Sequence, residues 1–205
     1  MIKKSDKRIL EADRLFKRYG NKIALNKVTV SIKNNEVVGL LGPNGAGKST
    51  SFYILAGLIK ADAGKIILNG SDITNYPMHK RAKLGLNYLP QESSVFRELS
   101  TKDNLIALIE QREDLDKKQK SYLLDKLTEE FGLKGFEHVL GRNLSGGERR
   151  RLEIARALTS DPTIILLDEP FAGIDPISLN EIKAQIKQLK SRDIGILITD
   201  HNVRE

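Results

Sequence analysis

The chain contains no cysteine among its 205 residues, which removes disulfides and thiolate-held metals from consideration and fits a reducing compartment. No apolar run approaches the roughly 18 to 20 residues that a membrane span requires, so any work at a membrane is expected to go through a partner. Charge of one sign is never concentrated: 34 lysines and arginines interleave with 27 aspartates and glutamates, for a net charge of +7. That is the pattern of a solvated surface, and direct nucleic-acid binding is not expected from it. Internal repeats and low-complexity linkers are also lacking, so any lobes are expected to be packed together and not tethered, and without sustained heptads long coiled coils are not expected. The leading charges of Met1 to Arg8 run into Leu10-Glu11-Ala12-Asp13 and not into an apolar stretch, so no secretory signal is read and a cytoplasmic location is expected. The length suits one substantial core, or a core with a smaller lobe.

What the chain does have is an alternation of short apolar runs with amphipathic stretches. Residues 28–32, 37–41, 66–68, 164–167 and 194–198 read as strands, and the fourth is apolar throughout, as in a sheet covered on both faces. Ser178-Leu179-Asn180-Glu181 has capping-box spacing, and Ile182, Ile186 and Leu189 follow at helical intervals. A crossover helix is therefore expected to begin there and return to the strand at Ile194. From Ser100 to about Ser160 no strand-like run occurs, while Leu105, Leu108 and Ile109, then Leu123, Leu124, Leu127 and Phe131, mark helices. The expectation is an α/β core interrupted by an all-helical insertion.

Gly42-Pro43-Asn44-Gly45-Ala46-Gly47-Lys48-Ser49 fits G-x-x-x-x-G-K-[ST], followed by Thr50. It lies between the strand ending at Leu41 and a helix expected to run through Phe52, Leu55 and Leu58. At this glycine content the pattern arises by chance in about one per cent of such chains, and the strand and helix flanks reduce that further. The glycines let backbone N–H groups turn inward around phosphate oxygens, and the helix N-terminus adds a favourable dipole. Lys48 is expected to neutralise the β- and γ-phosphates of ATP, and the Ser49 hydroxyl to ligate Mg²⁺. Downstream, Ile164-Ile165-Leu166-Leu167-Asp168-Glu169 is a buried strand ending in two carboxylates, the form of a Walker B segment. Asp168 is expected to hold the Mg²⁺ shell and Glu169 to orient or deprotonate the attacking water.

Leu144-Ser145-Gly146-Gly147-Glu148 resembles the signature LSGGQ of ABC ATPases and opens a helix through Leu152, Ala155 and Leu158. Alone it reads equally as a loop capping a surface helix, but between a phosphate loop and Asp168-Glu169 the signature reading prevails. Gln91 matches the Q-loop of that family, Ala172-Gly173-Ile174-Asp175 its D-loop, His201 its switch histidine, and Tyr19 the aromatic that stacks on adenine. His79 and His138 match no motif.

The resemblance implies a P-loop NTPase cassette with a RecA-like α/β core, an N-terminal antiparallel β subdomain and an inserted helical subdomain. One ABC ATPase domain is expected over 1–205, with about 1–91 and 161–205 forming the core and about 92–160 the helical part. It further implies a head-to-tail homodimer in which each ATP lies between one subunit's phosphate loop and the other's Ser145, Gly146 and Gly147. Glu169 is then the base, His201 contacts the γ-phosphate, and Gln91 senses metal and water.

From Ser145-Gly146-Gly147-Glu148-Arg149-Arg150-Arg151 through Leu158, then in residues 167–178, 198–205 and 88–97, the chain is similar to the LptB family of lipopolysaccharide export ATPases of Gram-negative bacteria. That family implies a translocase on the cytoplasmic face of the inner membrane, attached to two permease subunits of LptF/LptG type. Phe96 and Arg97 are expected to line the groove that receives them. The ATPase of a branched-chain amino-acid importer is the nearest alternative, disfavoured by the GERRR stretch. A DNA-associated ABC ATPase and a non-hydrolysing scaffold are further from the motifs. The family pattern continues past the switch histidine, whereas this sequence stops at Glu205, so a truncated C-terminal end is expected.

Overall fold

The structure is a computed structural model and describes residues 8–171 and 176–200. Two compact units divide the chain, one from Met1–Gln91 with Pro162–Glu205 and one from Glu92–Asp161. In chain order the first contains β1 (Arg8–Tyr19), β2 (Lys22–Lys33), β3 (Val37–Leu41), α1 (Lys48–Ala56), β4 (Ala63–Leu68), β5 (Ser71–Asp72), α2 (Met78–Lys83) and β6 (Leu86–Leu89). The second contains α3 (Thr101–Ile109), α4 (Lys117–Glu130) and α5 (Gly146–Leu158), after which β7 (Ile164–Asp168), α6 (Pro176–Lys190) and β8 (Gly195–Asp200) complete the first.

The first unit is α/β with two sheets, an antiparallel one in the order β2-β1-β4-β5 and a parallel one in the order β3-β8-β7-β6. Every residue of β7 and β8 is buried, as the unbroken apolar run at 164–167 foretold for β7. One hydrophobic core joins Leu10, Leu25 and Ile66 of the antiparallel sheet, Phe52 and Leu55 of α1, and Leu166 and Leu197 of the parallel sheet. The second unit is built on its three α-helices, with an isolated β-bridge between Ser100 and Leu140.

Several boundaries differ from the sequence reading, among them three with a local reason or a long extension. The first helix does not reach Leu58: Gly57 terminates it in the left-handed conformation at φ 82°, and a Cβ there would lie 2.9 Å from the Tyr76 carbonyl oxygen, so only glycine fits this stop. The crossover helix starts at Pro176, two residues before the expected cap at Ser178. Proline suits the first turn because its missing N–H would have no helical partner there. The strand at 28–32 is part of a longer strand that begins at Lys22.

Arg81, on the short α2, is 2% exposed and ties down the far end of α1. Its Nη1 donates to the carbonyls of Ile54 and Leu55, each at 2.7 Å, its Nε to Tyr76 O at 2.7 Å and its Nη2 to Thr74 O at 3.0 Å. Of these two carbonyls at the end of α1, Ile54 O also accepts the capping Gly57 N–H at 3.2 Å, and the buried cation adds to both while complementing the helix dipole. Burial pushes the guanidinium down to about 10, still protonated near neutrality. Arg81→Met keeps the volume but removes the donor to four carbonyls. A loss of roughly 3 kcal/mol is expected, lowering the melting temperature by on the order of 5–10 °C; a thermal melt shifted by less than about 2 °C would contradict the bracing role.

Candidate active site

All four strands of the parallel sheet end along one edge. Leu41 is in register with Asp200, Thr199 with Asp168, and Leu167 with Leu89. The segments expected to carry chemistry leave from that edge: the glycine-rich loop after β3, Glu169 after β7 and Gln91 just after β6. Open parallel sheets place ligands outside the carboxyl ends of their strands.

The glycine-rich loop is closed by a turn, with Ala46 N–H donating to Pro43 O at 3.2 Å. Gly45 and Gly47 adopt φ of 81° and 91°, the left-handed region that anion-binding nests draw on. Gly47 is also the N-cap of α1 and packs against β2: a Cβ there would sit 2.5 Å from Ala24 O and 2.8 Å from Leu25 Cδ2. Lys48 is buried and folds back over the loop, its Nζ donating to Gly42 O at 2.6 Å and Pro43 O at 3.1 Å. Its positive charge is thus held against the start of the loop. Ser49 is exposed in the first turn of α1, and Thr50 beside it is half-buried.

Asp168 ends β7 almost fully buried. Its Oδ1 accepts from Thr199 Oγ1 at 2.6 Å, and its Oδ2 accepts from Tyr88 Oη at 3.1 Å. Thr199 Oγ1 in turn accepts from Glu169 N–H at 2.9 Å. Glu169 has a φ of 42°, a left-handed conformation that costs a non-glycine residue about 1–3 kcal/mol and is held only by its surroundings. Tyr88 packs edge-on against Tyr53 of α1, with ring centroids 6.4 Å apart and an 87° interplanar angle. Burial, and then the neighbouring Asp168 carboxylate, push its hydroxyl well above the usual tyrosine range, so it remains a donor.

Tyr19 ends β1 half exposed, with Lys17 Nζ 5.5 Å from its ring centroid. Gln91 is exposed. Ala172, Gly173, Ile174, Asp175 and His201 lie outside the described residues. His79 and His138 are exposed surface residues. Among the described residues no three of His, Cys, Asp and Glu gather as a metal cage. The donors expected from the sequence, the Asp168 carboxylate, the Ser49 hydroxyl and the Gln91 amide, are hard oxygen ligands, which fits Mg²⁺ that completes its shell with phosphate oxygens and water.

In the helical unit, Ser145 caps α5. Its Oγ accepts from Glu148 N–H at 3.3 Å while Glu148 Oε2 accepts from Ser145 N–H at 2.8 Å, a closed capping box. The glutamate at position 148 therefore has a local role that sequence comparison with LSGGQ does not reveal. The space around Gly146 is open. Asn104 of α3 is fully buried and fixes the turn carrying Phe96 and Arg97. Its Oδ1 accepts from Phe96 N–H at 2.9 Å and its Nδ2 donates to Phe96 O at 2.9 Å. Phe96 is 44% exposed, with the Arg156 guanidinium carbon 4.5 Å from its ring centroid.

Sequence reasoning assigned no role to Thr199, Tyr88, Arg81 or Asn104. A hydroxyl residue at the end of one apolar strand, opposite an aspartate ending another, was the signal available for Thr199. Nothing local marked the other three.

A family model described as ABC transporter matches residues 25–172. The chain is 53% identical over 197 residues to the lipopolysaccharide export system ATP-binding protein LptB of Haemophilus influenzae, covering 96% of this chain and 82% of that protein. It is 50% identical over 196 residues to the protein of the same name in Escherichia coli, covering 96% and 81% respectively. Among solved structures it resembles the ADP conformation of an ATP-binding cassette of an ABC transporter, with a TM-score of 0.84 and 29% identity, covering 96% of this chain and 82% of that one.

Proposed function

As the chain belongs to the ABC transporter family, we propose that it is the ATP-hydrolysing subunit that powers a lipopolysaccharide exporter. The observation that carries the export reading is its half-identity, over nearly its whole length, to two LptB proteins. Among the described residues no helix is long and apolar enough to cross a membrane; the reading adds two permease partners, with this subunit on the cytoplasmic face of the inner membrane.

In this reading the backbone N–H groups of residues 42–50 other than Pro43, together with Lys48, bind the ATP phosphates, and Tyr19 stacks on the adenine. Ser49 and Asp168, with Gln91, hold Mg²⁺, which supplies charge neutralisation at the phosphoryl group as it transfers. Glu169 accepts the proton of the water that attacks the γ-phosphorus in line, while His201 steadies the γ-phosphate and Gln91 orients the water. Ser145, Gly146 and Gly147 of a second copy, at the N-terminus of its α5, close each site in a head-to-tail homodimer.

Purification from native membranes tests the whole reading. The subunit should carry two transmembrane subunits and release lipopolysaccharide from proteoliposomes only with ATP. Robust ATP hydrolysis with unrelated permeases attached would sink the export assignment and leave the ATPase assignment standing. We place the permease groove at Phe96 and Arg97, because an exposed aromatic held rigidly beside arginines is the form of an interface anchor. Phe96→Ala should spare ATP binding and weaken co-purification of the permeases about tenfold or more; undiminished co-purification rejects the groove.

A further inference from the structure

We infer that Thr199 and Tyr88 are positioning residues for hydrolysis, their hydroxyls together holding both carboxylate oxygens of Asp168 while Thr199 also holds the peptide of Glu169. This rests on the reading of that strand edge as the hydrolytic site and names residues for which the motifs assign no part.

The arrangement spans three adjacent strands. Asp168 ends β7, Thr199 lies directly beside it on β8, and Tyr88 comes from β6 on the other flank. A carboxylate on its own turns freely about its last torsion, whose wells are broad. Here each oxygen accepts one hydroxyl, Oδ1 at 2.6 Å from Thr199 and Oδ2 at 3.1 Å from Tyr88, so the plane of the group is set from both sides. Each oxygen keeps a second lone pair for a cation or its water.

Thr199 does more than Tyr88. A hydroxyl has one proton, and this one goes to Asp168, so its lone pair faces the Glu169 N–H, 2.9 Å away. One side chain, 1% exposed, thereby fixes the carboxylate expected to hold the metal and the backbone of the residue expected to activate water. Glu169 needs such support because its φ of 42° is unfavourable for a side-chain-bearing residue. Hydrogen bonds to charged groups are strong enough for their loss to cost about tenfold or more in rate.

The test compares Thr199→Val, Thr199→Ser and Tyr88→Phe in the purified ATPase. Three measurements are made on each: kcat and KM for ATP, Mn²⁺ affinity of the nucleotide-bound protein by electron paramagnetic resonance, and thermal melting. Thr199→Val should lower kcat by roughly 10- to 100-fold with KM changed less than about threefold, since the phosphate loop is untouched. Thr199→Ser should recover most of that loss. Both Thr199→Val and Tyr88→Phe should weaken Mn²⁺ binding by about tenfold. If Thr199→Val fails to fold, Tyr88→Phe decides through its Mn²⁺ affinity. Wild-type kcat and Mn²⁺ affinity in the folded variants would overturn the inference, whether or not the melting temperatures fall. A wild-type protein that hydrolyses no ATP would overturn the hydrolytic reading and this inference with it; an active wild type with insensitive variants overturns this inference alone.

Discussion

Replacing Glu169 with glutamine is expected to cut ATP hydrolysis by on the order of 10³-fold while leaving ATP affinity within a few-fold of the wild type. A positioned base contributes about 10²- to 10⁴-fold to proton transfer, and glutamine keeps the size and hydrogen-bonding shape of the side chain without its basicity. The peptide of residue 169 should stay where it is, because its contact with Thr199 runs through the main-chain N–H. Phosphate release under steady-state conditions, alongside binding of a fluorescent ATP analogue, separates the two quantities. Normal turnover in this variant would remove Glu169 from the role of base.

Gly47→Ala should be nearly as damaging, for a different reason. At φ 91° the backbone is already unfavourable for alanine, and the added methyl would lie 2.5 Å from the Ala24 carbonyl oxygen. Either β2 or the start of α1 must move, and the N–H groups of the loop move with it. An affinity loss of about 100-fold for ATP, with destabilisation of roughly 2–4 kcal/mol, is expected. Gly45→Ala provides the comparison, since nothing lies within 4 Å of its missing Cβ although its φ is 81°. Calorimetric titration and thermal melts should rank Gly47→Ala well below Gly45→Ala. Equal losses would show that the close approach to β2 does not decide the outcome.

The order of elements was legible because β7 is apolar up to its last residue and β8 has three apolar residues in a row, a pattern that survives any choice of register. β1 was not, because its bulges break the alternation: Ile9 and Leu10 are both buried, then Ala12, then Leu15. A strand whose buried residues fall at uneven intervals leaves no period to find. The glycine-rich loop and Asp168-Glu169 could be read because each is a local motif. The hydroxyl clamp on Asp168 could not, since Tyr88 and Thr199 are 80 and 31 residues away from it in sequence and meet it only through strand register. Arg81 was hidden by its type. A cation on a six-residue helix reads as surface charge, and only the carbonyls it meets in the fold, at the end of α1 and at Thr74 and Tyr76, explain its burial.

The chain's lack of cysteine and the one-sidedness of its parallel sheet combine into an experimental advantage. The turn at Ser191–Asp193, held to the Asn35 side chain by a 2.6 Å hydrogen bond from Asn35 Nδ2 to Asp193 Oδ1, lies at the amino-terminal edge of that sheet. It is about one strand length, roughly 17 Å, from the edge that carries the phosphate loop. Ser191→Cys, at an exposed position of that turn, would create the molecule's sole thiol. A dye attached there reports on the protein from its inert end, free of the nucleotide it is meant to watch.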